Sequence, residues 1–122
     1  MLILVAEDNA ANRELLREAL AMRDYAIVEA VDGEEALRMV KERSPDLVLL
    51  DIQMPKLDGY EVLRRIRNHA GRSGTKVIAL TALAMRGERE RAMAAGFDGY
   101  VTKPITISAL YVEIERMHPA PE

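Results

Sequence analysis

The 122-residue chain contains no cysteine. Disulfides and thiolate metal sites are therefore excluded. Its two histidines, His69 and His118, stand isolated, so they are not expected to ligate a metal. No apolar run approaches the roughly 18 residues of a transmembrane helix. The N-terminus has no basic region followed by a long apolar stretch, so no signal peptide is visible. Internal repeats and low-complexity segments are absent as well. A net charge of −3 weighs against nucleic acid as a direct partner. What remains is 49% apolar and 30% charged residues, the balance of a globular protein. The length suits one domain able to bury a core without staples. The expectation is a soluble, cytoplasmic domain over 1–118, with 119–122 as a tail or the start of a linker and no membrane partner.

Five short apolar runs read as strands: "LILVA" (2–6), "AIVEA" (26–30), "LVLL" (47–50), "KVIAL" (76–80) and "YVT" (100–102). Stretches of helical period separate them. In 12–22, Leu15, Leu16, Ala19, Leu20 and Met22 share a broad face. In 33–43, Ala36, Leu37 and Val40 recur at i, i+1, i+4. In 58–68, Val62, Leu63 and Ile66 do the same. A weaker helix covers 88–96. A last one over 107–117 aligns Ile107, Leu110, Ile114 and Met117, with Thr106 as a candidate cap. Fivefold alternation of strand and helix predicts a single doubly wound α/β domain, a five-stranded parallel sheet with helices on both faces. The first, third and fourth strands are nearly all apolar, as strands covered on both faces should be.

In open α/β sheets ligands bind beyond the carboxyl ends of the strands. There the sequence places Glu7, Asp8 and Asn9 after the first strand, Asp51 after the third, Thr81 after the fourth, and Lys103 with Pro104 after the fifth. Each has a plain structural reading. Asp8 or Asn9 could cap a helix, Asp51 could start a turn, Thr81 could end a strand, and Lys103 could be solvated. Four strand ends of complementary chemistry argue for a common site instead. Clustered carboxylates repel unless a cation sits among them. Mg²⁺ takes one or two carboxylates, waters and phosphate oxygens, with Mn²⁺ as a substitute. Lys103 and Thr81 could then stabilise a phosphoryl group, and Asp51 could be the nucleophile that forms an aspartyl phosphate.

The segments "VAEDN" (5–9), "DIQMPKLDG" (51–59), "ALTALA" (79–84) and "YVTKP" (100–104) make the chain resemble the receiver domain of two-component response regulators over positions 2–117. The resemblance implies a flavodoxin-like fold with strand order 2-1-3-4-5. It implies that Asp51 accepts a phosphoryl group from a histidine kinase or a histidine phosphotransferase. Asp8, Asp51 and the Gln53 backbone carbonyl would ligate Mg²⁺, with Glu7 acting through a metal-bound water. Lys103 would pair with phosphoryl oxygens, and the Lys103–Pro104 bond would be cis. Thr81 would be the switch hydroxyl and Tyr100 the switch aromatic, with small Ala82 leaving the phosphoryl group accessible. The output face toward a downstream protein would be the fourth helix, fifth strand and fifth helix. Gly87, read as early in that fourth helix, would weaken it.

Two other readings remain at this point. A docking-only receiver would need no phosphorylation. A Mg²⁺-dependent phosphatase of the haloacid dehalogenase type would need an acid two residues after the nucleophile, where this chain has Gln53. "GRSGTK" (71–76) fails phosphate-loop spacing and reads as a loop. "RRIR" (64–67) reads as a solvated face. Met54, beside the site, is expected to touch a partner. The chain could be a stand-alone receiver or one segment of a hybrid kinase or longer regulator.

Overall fold

The structure, a computed structural model, describes residues 1–68, 75–82 and 86–117. In chain order the elements are β1 (Leu2–Ala6), α1 (Ala10–Ala21), β2 (Ala26–Ala30), α2 (Gly33–Arg43), β3 (Leu47–Asp51), α3 (Gly59–Asn68), β4 (Lys76–Thr81), α4 (Glu88–Ala95), β5 (Gly99–Thr102) and α5 (Ile107–Met117). The strands pair in parallel in the order β2-β1-β3-β4-β5. The expected α/β architecture and strand order are therefore observed.

The order explains the layers. The chain steps one way from β1 to β2 and the other way in every later crossover. Right-handed crossovers then put α1 on one face and α2, α3 and α4 on the other. Strand alternation feeds both faces. Ile3, Val5, Leu47, Leu49, Ile78 and Leu80 pack with Leu16, Leu20, Leu110 and Ile114 of α1 and α5. Leu4, Ala6, Val48, Leu50, Val77 and Ala79 pack with Ala36, Val40, Val62, Leu63, Ile66 and Ala92 of α2, α3 and α4. Between β1 and β3 the crossovers diverge, which opens a crevice at the carboxyl edge.

Several local expectations need correction. β3 and β4 run on to Asp51 and Thr81, so these residues end the strands and inherit their rigidity. Of the two residues offered as a cap for α1, Asn9 is the one that serves, its side chain accepting from Asn12 N. Gly87 is not inside α4. It precedes the helix at φ +86, a conformation that favours glycine and disfavours alanine. Met54 is only 8% exposed and belongs to the core cluster, so its side chain packs inward. Met22, assigned to the buried face of α1, is 77% exposed, and Ile107 of α5 is 39% exposed. Both sit at helix ends, where the apolar stripe runs off the sheet. The 71–74 loop, His69, His118 and the 119–122 tail lie outside the described residues.

Candidate functional site

Strand register brings the chemistry together. Ala6 pairs with Leu50, Asp51 with Leu80, and Thr81 with Thr102. Glu7, Asp51, Thr81 and Lys103 thus stand at neighbouring strand ends across β1, β3, β4 and β5. Glu7 extends β1 by donating its backbone N–H to Ala30 O at 3.1 Å. Beyond Thr102, Lys103 N donates to Thr81 O at 2.8 Å, and the following peptide to Pro104 is cis.

The acids differ sharply in setting. Glu7 is fully buried and Asp51 is 2% exposed, whereas Asp8 is exposed. One carboxylate oxygen from each of the three lies within 4.8 Å of the others. Lys103 Nζ bridges Glu7 Oε1 at 2.6 Å and Asp51 Oδ2 at 2.9 Å. Asp51 Oδ1 accepts from Gln53 N at 2.9 Å. Burial raises the Glu7 carboxyl above its ordinary range, the Asp51 carboxylate adds to this, and Lys103 opposes it. Burial also works to lower the Lys103 ammonium, but its bonds to Glu7 and Asp51 raise it on balance.

Three carboxylates against one ammonium leave an excess of two negative charges. An oxygen-only donor set with that charge, half-buried and half-open through Asp8, fits a hard divalent cation such as Mg²⁺. Asp8, Asp51 and Glu7 are the side chains that would hold it, and the loop backbone at Gln53 follows directly. Gly59 fixes that loop. Its N–H donates to Ile52 O at 2.7 Å, and a Cβ there would lie 2.6 Å from Ile52 Cα. Only a glycine lets α3 begin against the backbone of the Asp51 segment.

Thr81 is buried at the end of β4, and Ala82 beyond it is exposed. Tyr100 packs inward in the α2–α3–α4 core at 8% exposure. Its backbone N–H donates to Glu113 Oε2 of α5 at 3.3 Å. Burial, then nearby Glu88, raises its phenol above the ordinary range.

Two residues of the site, Asn12 and Arg13, are not visible in the sequence reading, and Asn9, placed there at the end of the first strand, joins them. Asn12 Nδ2 donates to Glu7 Oε1 at 3.1 Å, Asn9 N donates to Glu7 Oε2 at 3.4 Å, and Arg13 Nη1 donates to Glu7 O at 2.9 Å. The spacing of Asn9, Asn12 and Arg13 on the first turn of α1 was the available signal. Arg67 also departs from the solvated face expected of "RRIR". Arg64 and Arg65 do pair with Glu61 at the surface. Arg67 turns in to Asp98 Oδ2 at 2.7 Å, Gly96 O at 2.8 Å and Thr75 O.

Residues 3–115 match the family model of the response regulator receiver domain. A probable transcriptional regulator ycf27 of Guillardia theta is 42% identical over 112 residues, 92% of this chain but 43% of that protein. The polar-differentiation response regulator DivK of Brucella ovis is 36% identical over 86% of this chain and 85% of its own length. The receiver domain of sensor histidine kinase PA1611 from Pseudomonas aeruginosa, solved with magnesium coordinated in its active-site cleft, superposes with a TM-score of 0.87 at 34% identity, covering 95% of each chain. The Saccharomyces cerevisiae Ssk1 receiver domain, solved in complex with the histidine phosphotransfer protein Ypd1, superposes at 0.88 with 28% identity over 96% of this chain and 88% of that one.

Proposed function

Since the chain belongs to the response regulator receiver domain family and is a receiver of two-component or phosphorelay signalling, we propose that it takes a phosphoryl group onto Asp51 from a phosphohistidine donor and uses that modification as a switch. The observation that carries this reading is the setting of Asp51. It is a buried carboxylate at the rigid end of a central strand, with one oxygen on Lys103 Nζ and the other on Gln53 N, inside a cluster of three acids.

In the proposed reaction one Asp51 oxygen attacks phosphorus as the P–N bond to the donor imidazole breaks, and the imidazole leaves with that electron pair. The Asp51 side chain is held by Gln53 N and Lys103, so little orientation has to be found at the moment of transfer. Lys103 meets the charge on the phosphoryl oxygens. Asp8, Asp51, the Gln53 carbonyl and, through water, Glu7 would hold Mg²⁺, which would supply further neutralisation of that charge. Mn²⁺ would serve the same donor set. Asp8, as the exposed acid, leaves the site open on the side a donor must approach. Gln53 offers a carboxamide where an external-substrate phosphatase would need an acid. We therefore read the chain as a signalling module that catalyses only its own modification.

Thr81 and Tyr100 are the proposed switch pair. Thr81 would be drawn to the phosphoryl oxygens and Tyr100 would follow, altering the α4–β5–α5 surface that a downstream protein reads. The donor is proposed to be a histidine kinase or histidine phosphotransferase, in line with the partner of the Ssk1 receiver. None of the described helices is long and apolar enough to cross a membrane, and we place the module in the cytoplasm.

Intact mass after incubation with acetyl phosphate tests the reading. One added phosphoryl group is expected with Mg²⁺, and none with chelator or in Asp51→Asn. An adduct that persists in Asp51→Asn would refute Asp51 as acceptor.

A further inference from the structure

Position 7 carries a glutamate, one methylene longer than an aspartate. Its carboxylate is fully buried, so both oxygens need donors. Oε1 has two, Lys103 Nζ at 2.6 Å and Asn12 Nδ2 at 3.1 Å, and Oε2 takes Asn9 N at 3.4 Å. Lys103 is shared, since it also bonds Asp51 Oδ2. A lysine that turns toward a phosphoryl group weakens its hold on Glu7. Asn12 has no such second duty toward Asp51.

The mount of Asn12 is firm. It lies in the first turn of α1, and its backbone N–H is taken by the Asn9 side chain at 2.9 Å. The next residue, Arg13, grips the Glu7 backbone carbonyl at 2.9 Å and stands 3.6 Å from Glu29 of β2. Consecutive residues of α1 thus fix the main chain and the side chain of Glu7. The chemistry of the donor matters too. An amide satisfies Oε1 without adding charge, so the negative excess that attracts a cation is kept. A lysine or arginine at position 12 would cancel part of it.

We propose that Asn12 is a positioning residue of the cation site, matched to glutamate at position 7, which holds Glu7 Oε1 over the cluster independently of Lys103. The proposal rests on the phosphoacceptor reading above. It makes a coupled prediction. An aspartate at position 7 would end about 1.5 Å short of the Glu7 oxygens, out of reach of Asn12, so the amide should matter only when residue 7 is glutamate.

The test is isothermal titration of Mg²⁺ into the purified chain, Asn12→Ala, Glu7→Asp and the double variant. Asn12→Ala is expected to fold, since alanine favours the helix and the Asn9 cap needs only a backbone N–H. It should weaken Mg²⁺ binding about tenfold with glutamate at position 7, the lower end of what one hydrogen bond to a charged group is worth. In the Glu7→Asp background it should change binding little. The acetyl phosphate reaction of Asn12→Ala should recover at saturating Mg²⁺. Equal losses in both backgrounds, or Mg²⁺ binding unchanged by Asn12→Ala, would overturn this inference alone. Failure of the unaltered chain to bind Mg²⁺ would overturn the phosphoacceptor reading and this inference with it.

Discussion

Helices α3 and α4 cover the same face of the sheet and are held there by different forces. α3 buries Val62, Leu63 and Ile66 and starts on Gly59, tight against the Asp51–Ile52 backbone. α4 buries only Ala92 and the carboxylate of Glu88. Its hold on α3 is polar and aromatic. Tyr60 Oη donates to Glu88 Oε1 at 3.2 Å, the Arg91 guanidinium lies 4.6 Å over the Tyr60 ring, and Phe97 just beyond α4 meets that ring edge-on at 5.7 Å. Both ends of α4 are glycines at positive φ, Gly87 and Gly96. Apolar area fixes α3 as part of the scaffold that presents Asp51. A few directional contacts fix α4, so moving it costs far less, as the proposed switch surface would require.

The contrast can be broken first at its strong side. Ile66→Ala should destabilise the fold by about 3 kcal/mol through lost burial and a residual cavity, measured by urea unfolding. No α4 side chain offers an equivalent, because its one fully buried apolar residue is already alanine. Next is the junction between the two helices. Arg67→Ala removes the bonds from α3 to Gly96 O and Asp98 at the far end of α4. It should cost about 2 kcal/mol by the same measurement. Gly87→Ala should cost about 1 kcal/mol from the φ of +86 alone. A Cβ there meets nothing within 4 Å, so a larger loss would disprove a purely backbone cause.

Tyr60→Phe sharpens the comparison at its weak side. It deletes only the bond to Glu88 and should cost about 1 kcal/mol. Amide hydrogen exchange should quicken in α4 and stay unchanged in α3. Equal quickening in both would show that they open as one unit. The smallest effect is its pH dependence. Burial, then Glu88, raises the Tyr60 phenol above its ordinary value of 10.0. The neutral phenol is favoured in the folded state, so its contribution is complete below that value and is lost as pH rises through the raised one. The stability deficit of Tyr60→Phe should therefore be constant near neutrality and shrink in strong alkali.

The same contrast separates what could be read from the chain and what could not. The strands, the core faces of α2 and α3, and the carboxylates at the sheet edge follow from periodicity and strand-end position. These are local properties, and the register of the sheet preserves them. Gly87 and Met22 are misplaced from the chain alone because a helix boundary or the end of an apolar stripe depends on where the neighbouring element stops, and the burial of Met54 is hidden because a residue between β3 and α3 has no periodicity to mark it. Arg67 reads as solvated because "RRIR" shows its charge but not Asp98, 31 residues away. Asn12 by itself carries no signal in the sequence, because an asparagine in a first turn ordinarily serves its own helix.

Alternating period and strand-end chemistry, written along the chain, were enough to determine a doubly wound α/β domain with Glu7, Asp8, Asp51, Thr81 and Lys103 along one edge. Tertiary structure decided how the three acids differ. Glu7 is fully buried and held by Lys103, Asn9 and Asn12, Asp51 is buried between Lys103 and Gln53, and Asp8 is left to solvent. Burial and hydrogen-bond partners are properties of packed neighbours. Adjacent acids in sequence carry no mark of which one the fold will close over.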